Sequence, residues 1–237
     1  MLNPHGKAQL SRALWIGLAL YALAVALTWA TDEADASWGQ RAARLGALGP
    51  LLAALATWGS GQLARTRGEA RALLALGATP AALERGAVLG GWLLALGGLV
   101  IALGPWADQH GLFPALESGR NWHLLADGTL ADPLGARFSA GTGLVPVAPQ
   151  TPPRSVDLRL ATACFLLPLV VALPPWVVAL QPSLARLWRA GLALFLASGL
   201  ALWLLHGVAA SRLPWLSLLL TPLPLIVEYR LRKLSAA

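Results

Sequence analysis

Residues 63–106 read LARTRGEARALLALGATPAALERGAVLGGWLLALGGLVIALGPW, and the second half of this stretch decides the fold class. From residue 87 to residue 106 there is no charged side chain. An apolar run of that length, wound as an α-helix, crosses a hydrocarbon core about 30 Å thick. Moving outward, five further apolar segments follow the same pattern, at residues 13–30, 45–63, 160–180, 190–208 and 213–227. The last is short and interrupted by Pro222 and Pro224. The pattern predicts an all-α polytopic membrane protein with about six transmembrane helices. Composition agrees: 57% of residues are hydrophobic and 12% charged, with a mean hydropathy of +0.61, whereas a soluble domain carries about 25% charged residues.

The net charge of +7 raises nucleic-acid binding, but the basic residues sit in short caps between apolar runs and form no patch with interleaved aromatics. Nucleic acid is therefore not an expected partner. The single cysteine, Cys164, lies in an apolar run and reads as a packing residue. The first apolar segment follows Lys7 and Arg12, and Ala34-Asp35-Ala36 resembles a cleavage site. Its apolar core is too long for a typical signal sequence, so it is expected to be an anchor helix.

Charge sets the orientation. With the N-terminus inside, the cytoplasmic segments carry eleven Lys and Arg against Glu69, Glu84 and Glu228, while the opposite side carries seven basic residues and eight acids. The split of +8 against −1 follows the positive-inside rule and predicts a bacterial inner-membrane protein with both termini in the cytoplasm. Most of the eleven tryptophans, Trp15, Trp29, Trp58, Trp92, Trp106, Trp176, Trp188, Trp203 and Trp215 among them, fall towards the ends of the spans. There an indole ring has apolar and wet neighbours at once. The layout is three helices over residues 1–106, a small periplasmic segment over 107–159, and three more helices over 160–237. Asp127-Gly128 and Asp132-Pro133 predict turns and a few short strands in the middle segment, and the prolines over 145–153 predict extended chain.

Residues 63–85 carry more information than a span. Thr66-Arg67-Gly68-Glu69 has the form of a capping box, a short helix follows to Leu76, and Gly77 suits a left-handed C-terminal position. Thr79-Pro80 then restarts a helix, with Thr79 as N-cap and Pro80 in the first turn. The expected result is a short cytoplasmic helix at about 66–76, a sharp turn, and a new helix entering the third span. Ala70, Leu73 and Leu74 fall on one side, with Arg67, Glu69 and Arg71 towards others. Periodicity leaves two readings open: an amphipathic helix lying on lipid, or a peg that docks into another protein.

The same segment, with Glu69 four residues before Leu73-Leu74 and then Leu76-Gly77-Ala78-Thr79-Pro80, resembles the coupling segment of ABC-transporter permeases. The four-helix permeases of cell division, macrolide efflux and lipoprotein release (FtsX, MacB and LolC/LolE) place a large outside domain after the first helix. The order found here is similar to the lipopolysaccharide-export permeases of the LptF/LptG family, which have six helices, a coupling helix between spans two and three, and an outside domain between three and four. The resemblance runs from about residue 49 to 108, including Gly49-Pro50 opening the second span and Trp106 closing the third. It implies a permease subunit that moves a lipidic envelope substrate, a lipopolysaccharide-like lipid or a lipoprotein. It also implies two copies of a partner ATPase that binds ATP and Mg, a second permease copy or paralogue, and room for a periplasmic accessory protein. Arg67, Glu69, Ala70, Arg71, Leu73, Leu74, Gly77 and Thr79 would make the ATPase contact. The family's outside β-jellyroll is far larger than residues 107–159, so the resemblance points to a reduced relative.

No catalytic or cofactor pattern accompanies it. His5, His110, His123 and His206 are scattered, and no HExxH, Gly-x-Ser-x-Gly or GxxxxGK[ST] motif occurs. The chain is expected not to be an enzyme, to hold no metal or cofactor, and to leave ATP hydrolysis to another chain. Gly86, Gly90, Gly97 and Gly98 predict close helix contacts, within the chain or with another subunit. Arg41, Arg44, Arg159 and Arg212 lie at the outer boundary, either as snorkelling anchors or as forks for lipid phosphates. The rival to the permease reading is a non-transporting inner-membrane scaffold or assembly protein.

Overall fold

The computed structural model describes residues 3–31, 36–113, 123–131, 136–141, 143–146, 157–178, 184–209 and 212–234. Arg120, Trp122, Asp132-Pro133, Arg154, the stretch 147–153 and the Ala34-Asp35 pair lie outside them. Helix forms the body: α1 (Pro4–Thr31), α2 (Trp38–Thr66), α3 (Glu69–Ala75), α4 (Pro80–Leu103), α5 (Leu158–Val178), α6 (Leu184–Ala209) and α7 (Leu223–Leu234). Four of these helices contain stretches long and apolar enough to cross a membrane: Pro4–Thr31, Ala81–Leu103, Leu158–Val178 and Trp188–Ala209.

The second helix starts earlier than the apolar run suggests. Ser37 Oγ accepts from the amide of Gln40 while Gln40 Oε1 accepts from the amide of Ser37, each at 3.2 Å. This reciprocal cap satisfies two free amides and sets the helix start at Trp38. Pro50 therefore lies inside α2 and does not open it. The carbonyl deprived of its donor, that of Gly46, faces Gly98 of α4, where no side chain intervenes.

Packing follows from small residues. Ala43, Gly46, Pro50, Ala53, Thr57, Ser60 and Ala64 of α2 are buried at alternating three- and four-residue spacing, one continuous seam. α2 packs against α1, α4 and α5 and is the hub of the bundle. Gly86 abuts the backbone of Gly6, Gly90 abuts Ala13, and a Cβ on Gly98 would lie 2.7 Å from Cα of Gly49, whereas Gly97 faces open space. Of the five glycines on α4, all but Gly97 thus make close contacts within the chain, Gly91 against Thr57 and Pro174. At the end opposite α3, buried Gln109 donates to the Ala102 carbonyl at 2.6 Å and accepts from Thr162 at 2.7 Å, joining α4 to α5.

The sixth apolar segment is not one helix. Residues Trp215–Leu220 form a 3-10 turn and α7 begins at Leu223. Pro222 has no N–H to offer the carbonyl of Leu218, which accepts instead from the amide and hydroxyl of Thr221, at 3.2 and 2.6 Å. Leu218 packs with Ala161, Cys164 and Leu204 at one end of α5. Leu225 packs with Leu173, Trp176 and Val177 at the other. The bent segment therefore runs along the length of α5. Trp176, in the last turn of α5, is buried and donates from Nε1 to Glu228 Oε2 at 2.8 Å.

Between α4 and α5, the strands β1 (His123–Leu124), β2 (Leu130–Ala131), β3 (Ala136–Ser139) and β4 (Gly143–Pro146) form an antiparallel meander in chain order. Its first turn is closed by Asp127-Gly128, with Gly128 at φ 77° and Asp127 Oδ1 accepting from the Thr129 amide. Large apolar side chains on α1 and α6, including Trp15, Leu18, Leu27, Trp188, Phe195, Leu202 and Trp203, point outward and are exposed. A soluble protein rarely shows patches of this extent; this is the surface of a membrane protein.

Candidate functional site

The site grows from the turn that follows α2. The Thr66 hydroxyl donates back to the Leu63 carbonyl, so it does not cap α3, and the expected capping box is absent. Gly68 occupies the N-cap with φ 73° and offers no side chain. Glu69 is engaged elsewhere. Arg12 of α1 donates to it through both terminal nitrogens, at 2.9 Å to Oε2 and 2.7 Å to Oε1, and His5 Nδ1 lies 3.5 Å from Oε2. A bidentate guanidinium–carboxylate fork is stronger and more directional than a lone cap. The Arg12 guanidinium holds the Glu69 carboxyl below its ordinary range, against a smaller opposing effect of burial.

The other end of α3 is tied by backbone alone. The amide of Ala78 bonds to the Leu73 carbonyl and that of Gly77 to the Leu74 carbonyl, both at 3.0 Å. With Gly77 at φ 85°, this is a Schellman stop. Thr79 Oγ1 then accepts from the Ala82 amide at 3.3 Å and starts α4. α3 is accordingly fixed to α1 through a side-chain fork and to α4 through a short stiff turn.

What α3 presents is distinctive. It buries none of its residues. Arg67, Arg71, Leu74 and Gly77 are exposed, and Glu69, Ala70 and Leu73 half-buried. Leu76, which follows the helix, is 82% exposed. Leu73, one of the contact residues that the resemblance implies, is thus partly covered by the protein itself, while Leu76 is exposed. Behind α3 a cleft of about 400 Å³ opens between α2, α4 and α5, with Gln9, Trp58, Arg65, Arg71, Leu74 and Glu84 in its walls. Gln9, Arg12, Trp58, Arg65, Leu76 and Glu84 are members that sequence reasoning did not place at the site. Only Leu76 carried a local signal: a leucine just before a helix-stopping glycine projects beyond the last turn.

No family model, curated protein or solved structure matches the chain. Among the described residues no group of three or more His, Cys, Asp or Glu side chains could hold a metal ion.

At the far end of the bundle, Arg41 lies over the Trp29 ring at 5.3 Å and Arg44 Nε donates to the Gly111 carbonyl at 3.3 Å. Arg159 and Arg212 are exposed there. The structure thus places all four at one end, with Arg41 and Arg44 bridging helices.

Proposed function

We propose that this chain is the membrane-spanning permease subunit of an ABC transporter, and that α3 is its coupling helix. The observation that carries the proposal is α3 itself: a short helix held rigidly at both ends, burying nothing of its own and leading to a bare Leu76. Exposed apolar side chains on a rigid mount suit a protein groove. Displacement of α3 would reach α1 through Arg12 and α4 through the turn at Gly77. In this reading the ATPase subunits hydrolyse ATP, a second permease copy or paralogue completes the path, and the substrate is a lipidic envelope molecule of the kind handled by LptF/LptG-like permeases.

The reading includes six crossings of a bacterial inner membrane with both termini inside. The charge split supports the orientation. The 3-10 turn and the apolar start of α7, up to Val227, together rise only about 20 Å, at about 2.0 and 1.5 Å per residue, so the sixth crossing is the shortest of the six and lies against α5. The meander of β1 to β4 would stand in the periplasm where the resembling family carries a jellyroll. At the same outer boundary, Arg159 and Arg212 are the exposed candidates for lipid phosphates, with Arg41 and Arg44 beside them.

The scaffold alternative retains one supporting observation, since Leu74 and Leu76 with Arg67 and Arg71 also suit a lipid surface. Affinity purification from the native host in mild detergent separates the two. An ATPase and a second six-span chain recovered in stoichiometric amount support the permease; their absence supports the scaffold.

A further inference from the structure

Where the sixth apolar segment breaks at Pro222, a groove of about 550 Å³ opens between it and α5. Pro168, Ala172 and Pro175 line one side, and Pro222, Ile226 and Tyr229 the other. The break shapes the second wall: Pro222 has no amide to offer, and the chain turns there from 3-10 geometry into α7. The first wall is low because alanine and proline side chains are short. From Leu167 to Trp176 the groove follows α5 for about 14 Å, at about 1.5 Å per residue. Its mean cross-section is therefore about 40 Å², half that of a helix about 10 Å across. A single alkyl chain laid lengthwise fits; a helix of another protein does not.

Charge decides what that chain is attached to. Glu228 is the only acid between residues 160 and 237, and it is committed: it accepts from Trp176 Nε1 and pairs with Arg232. Arg230 is exposed and has no ion pair among the described residues. It follows Ile226 by four residues, so it stands on the same helix face one turn beyond the groove wall. The apolar part of α7 ends at Val227, which leaves Arg230 at headgroup depth. We propose that the groove holds one acyl chain of an anionic glycerophospholipid, with its phosphate at Arg230 and its second chain in bulk lipid. A guanidinium fork matches phosphate oxygens in geometry and charge, and a basic side chain at the membrane surface favours an anionic headgroup. The inference rests on the groove and its one unmatched cation and does not require an ATPase partner.

The test uses the full chain, stripped of lipid in detergent and titrated by native mass spectrometry with phosphatidylglycerol and with phosphatidylethanolamine. Wild type is expected to bind one phosphatidylglycerol about fivefold more tightly than phosphatidylethanolamine. Arg230→Gln, at an exposed position, is expected to erase that preference while keeping phosphatidylethanolamine binding. Ala172→Phe, which puts a ring into the groove, is expected to weaken both lipids about tenfold or more. Ile226→Trp blocks the same groove from a position that is 45% exposed; it serves if Ala172→Phe fails to stay monodisperse on size exclusion, and should act alike. Equal retention by wild type and the groove variants would mean annular lipid only and overturn the proposal. A preference that survives Arg230→Gln would place the phosphate elsewhere and overturn it as well. A wild-type dimer that Ala172→Phe dissolves would assign the groove to a second copy of the chain, with the same consequence.

Discussion

At the scale of single residues, two neighbours on α4 make the sharpest contrast. A methyl on Gly98 would meet Tyr21 Oη at 2.5 Å and the Gly49 Cα at 2.7 Å, whereas Gly97 has nothing nearby. Gly98→Ala should lower stability by about 1–3 kcal/mol, the usual cost of overpacking. Gly97→Ala should be neutral or gain up to about 1 kcal/mol from helix propensity. Thermal unfolding in detergent checks both, and equal effects would count against the α2–α4 contact. Glu69 gives a second residue-level expectation. Its folded carboxyl titrates below the ordinary value of 4.5, so its ion pair stabilises the fold above that pH and is lost as pH falls through the lowered value. Glu69→Gln should cost about 1 kcal/mol at neutral pH and flatten the loss of thermal stability between about pH 5 and 3. An unchanged acid profile would mean that the Arg12–Glu69 fork contributes nothing.

At the scale of elements, the segment from Thr66 to Pro80 shows which parts of the fold were legible. Gly77 and Thr79-Pro80 behaved as read, because both signals act through the backbone within a few residues. Thr66 and Glu69 did not, although their spacing fits a capping box. The competing partner, Arg12, lies 57 residues away and is invisible to a local motif. The break at Pro222 was legible as an interruption, but the handover of the Leu218 carbonyl to Thr221 was not. The early start of α2 was missed because Ser37 and Gln40 lie outside the apolar run that marks the span. Gly77 also carries a prediction. With φ at 85° and open space around it, Gly77→Ala meets no clash but pays left-handed strain of about 1–2 kcal/mol. Hydrogen exchange across residues 69–79 should accelerate by roughly tenfold for each 1.4 kcal/mol, while the rest of the bundle stays protected. Unchanged exchange would show that the turn is not fixed by that conformation.

At the scale of the molecule, an apolar bundle, a charge asymmetry along the chain and one projecting helix occur together. The four helices long and apolar enough to cross a membrane were readable because lipid imposes a simple rule on composition; the cleft was not, because five elements meet to make it. Reporter fusions after Arg71 and Lys233 should report the cytoplasm and a fusion after Arg120 the periplasm; a cytoplasmic signal at Arg120 would overturn the six-crossing arrangement. The claim that α3 couples to an ATPase is tested most directly at Leu76, whose exposure makes substitution harmless to the fold. A photo-crosslinking amino acid placed at position 76 in cells, with position 97 as the membrane-facing control, should capture an ATPase subunit at 76 and none at 97. Crosslinks from position 76 to lipid alone, with the protein folded and in the membrane, would contradict the account.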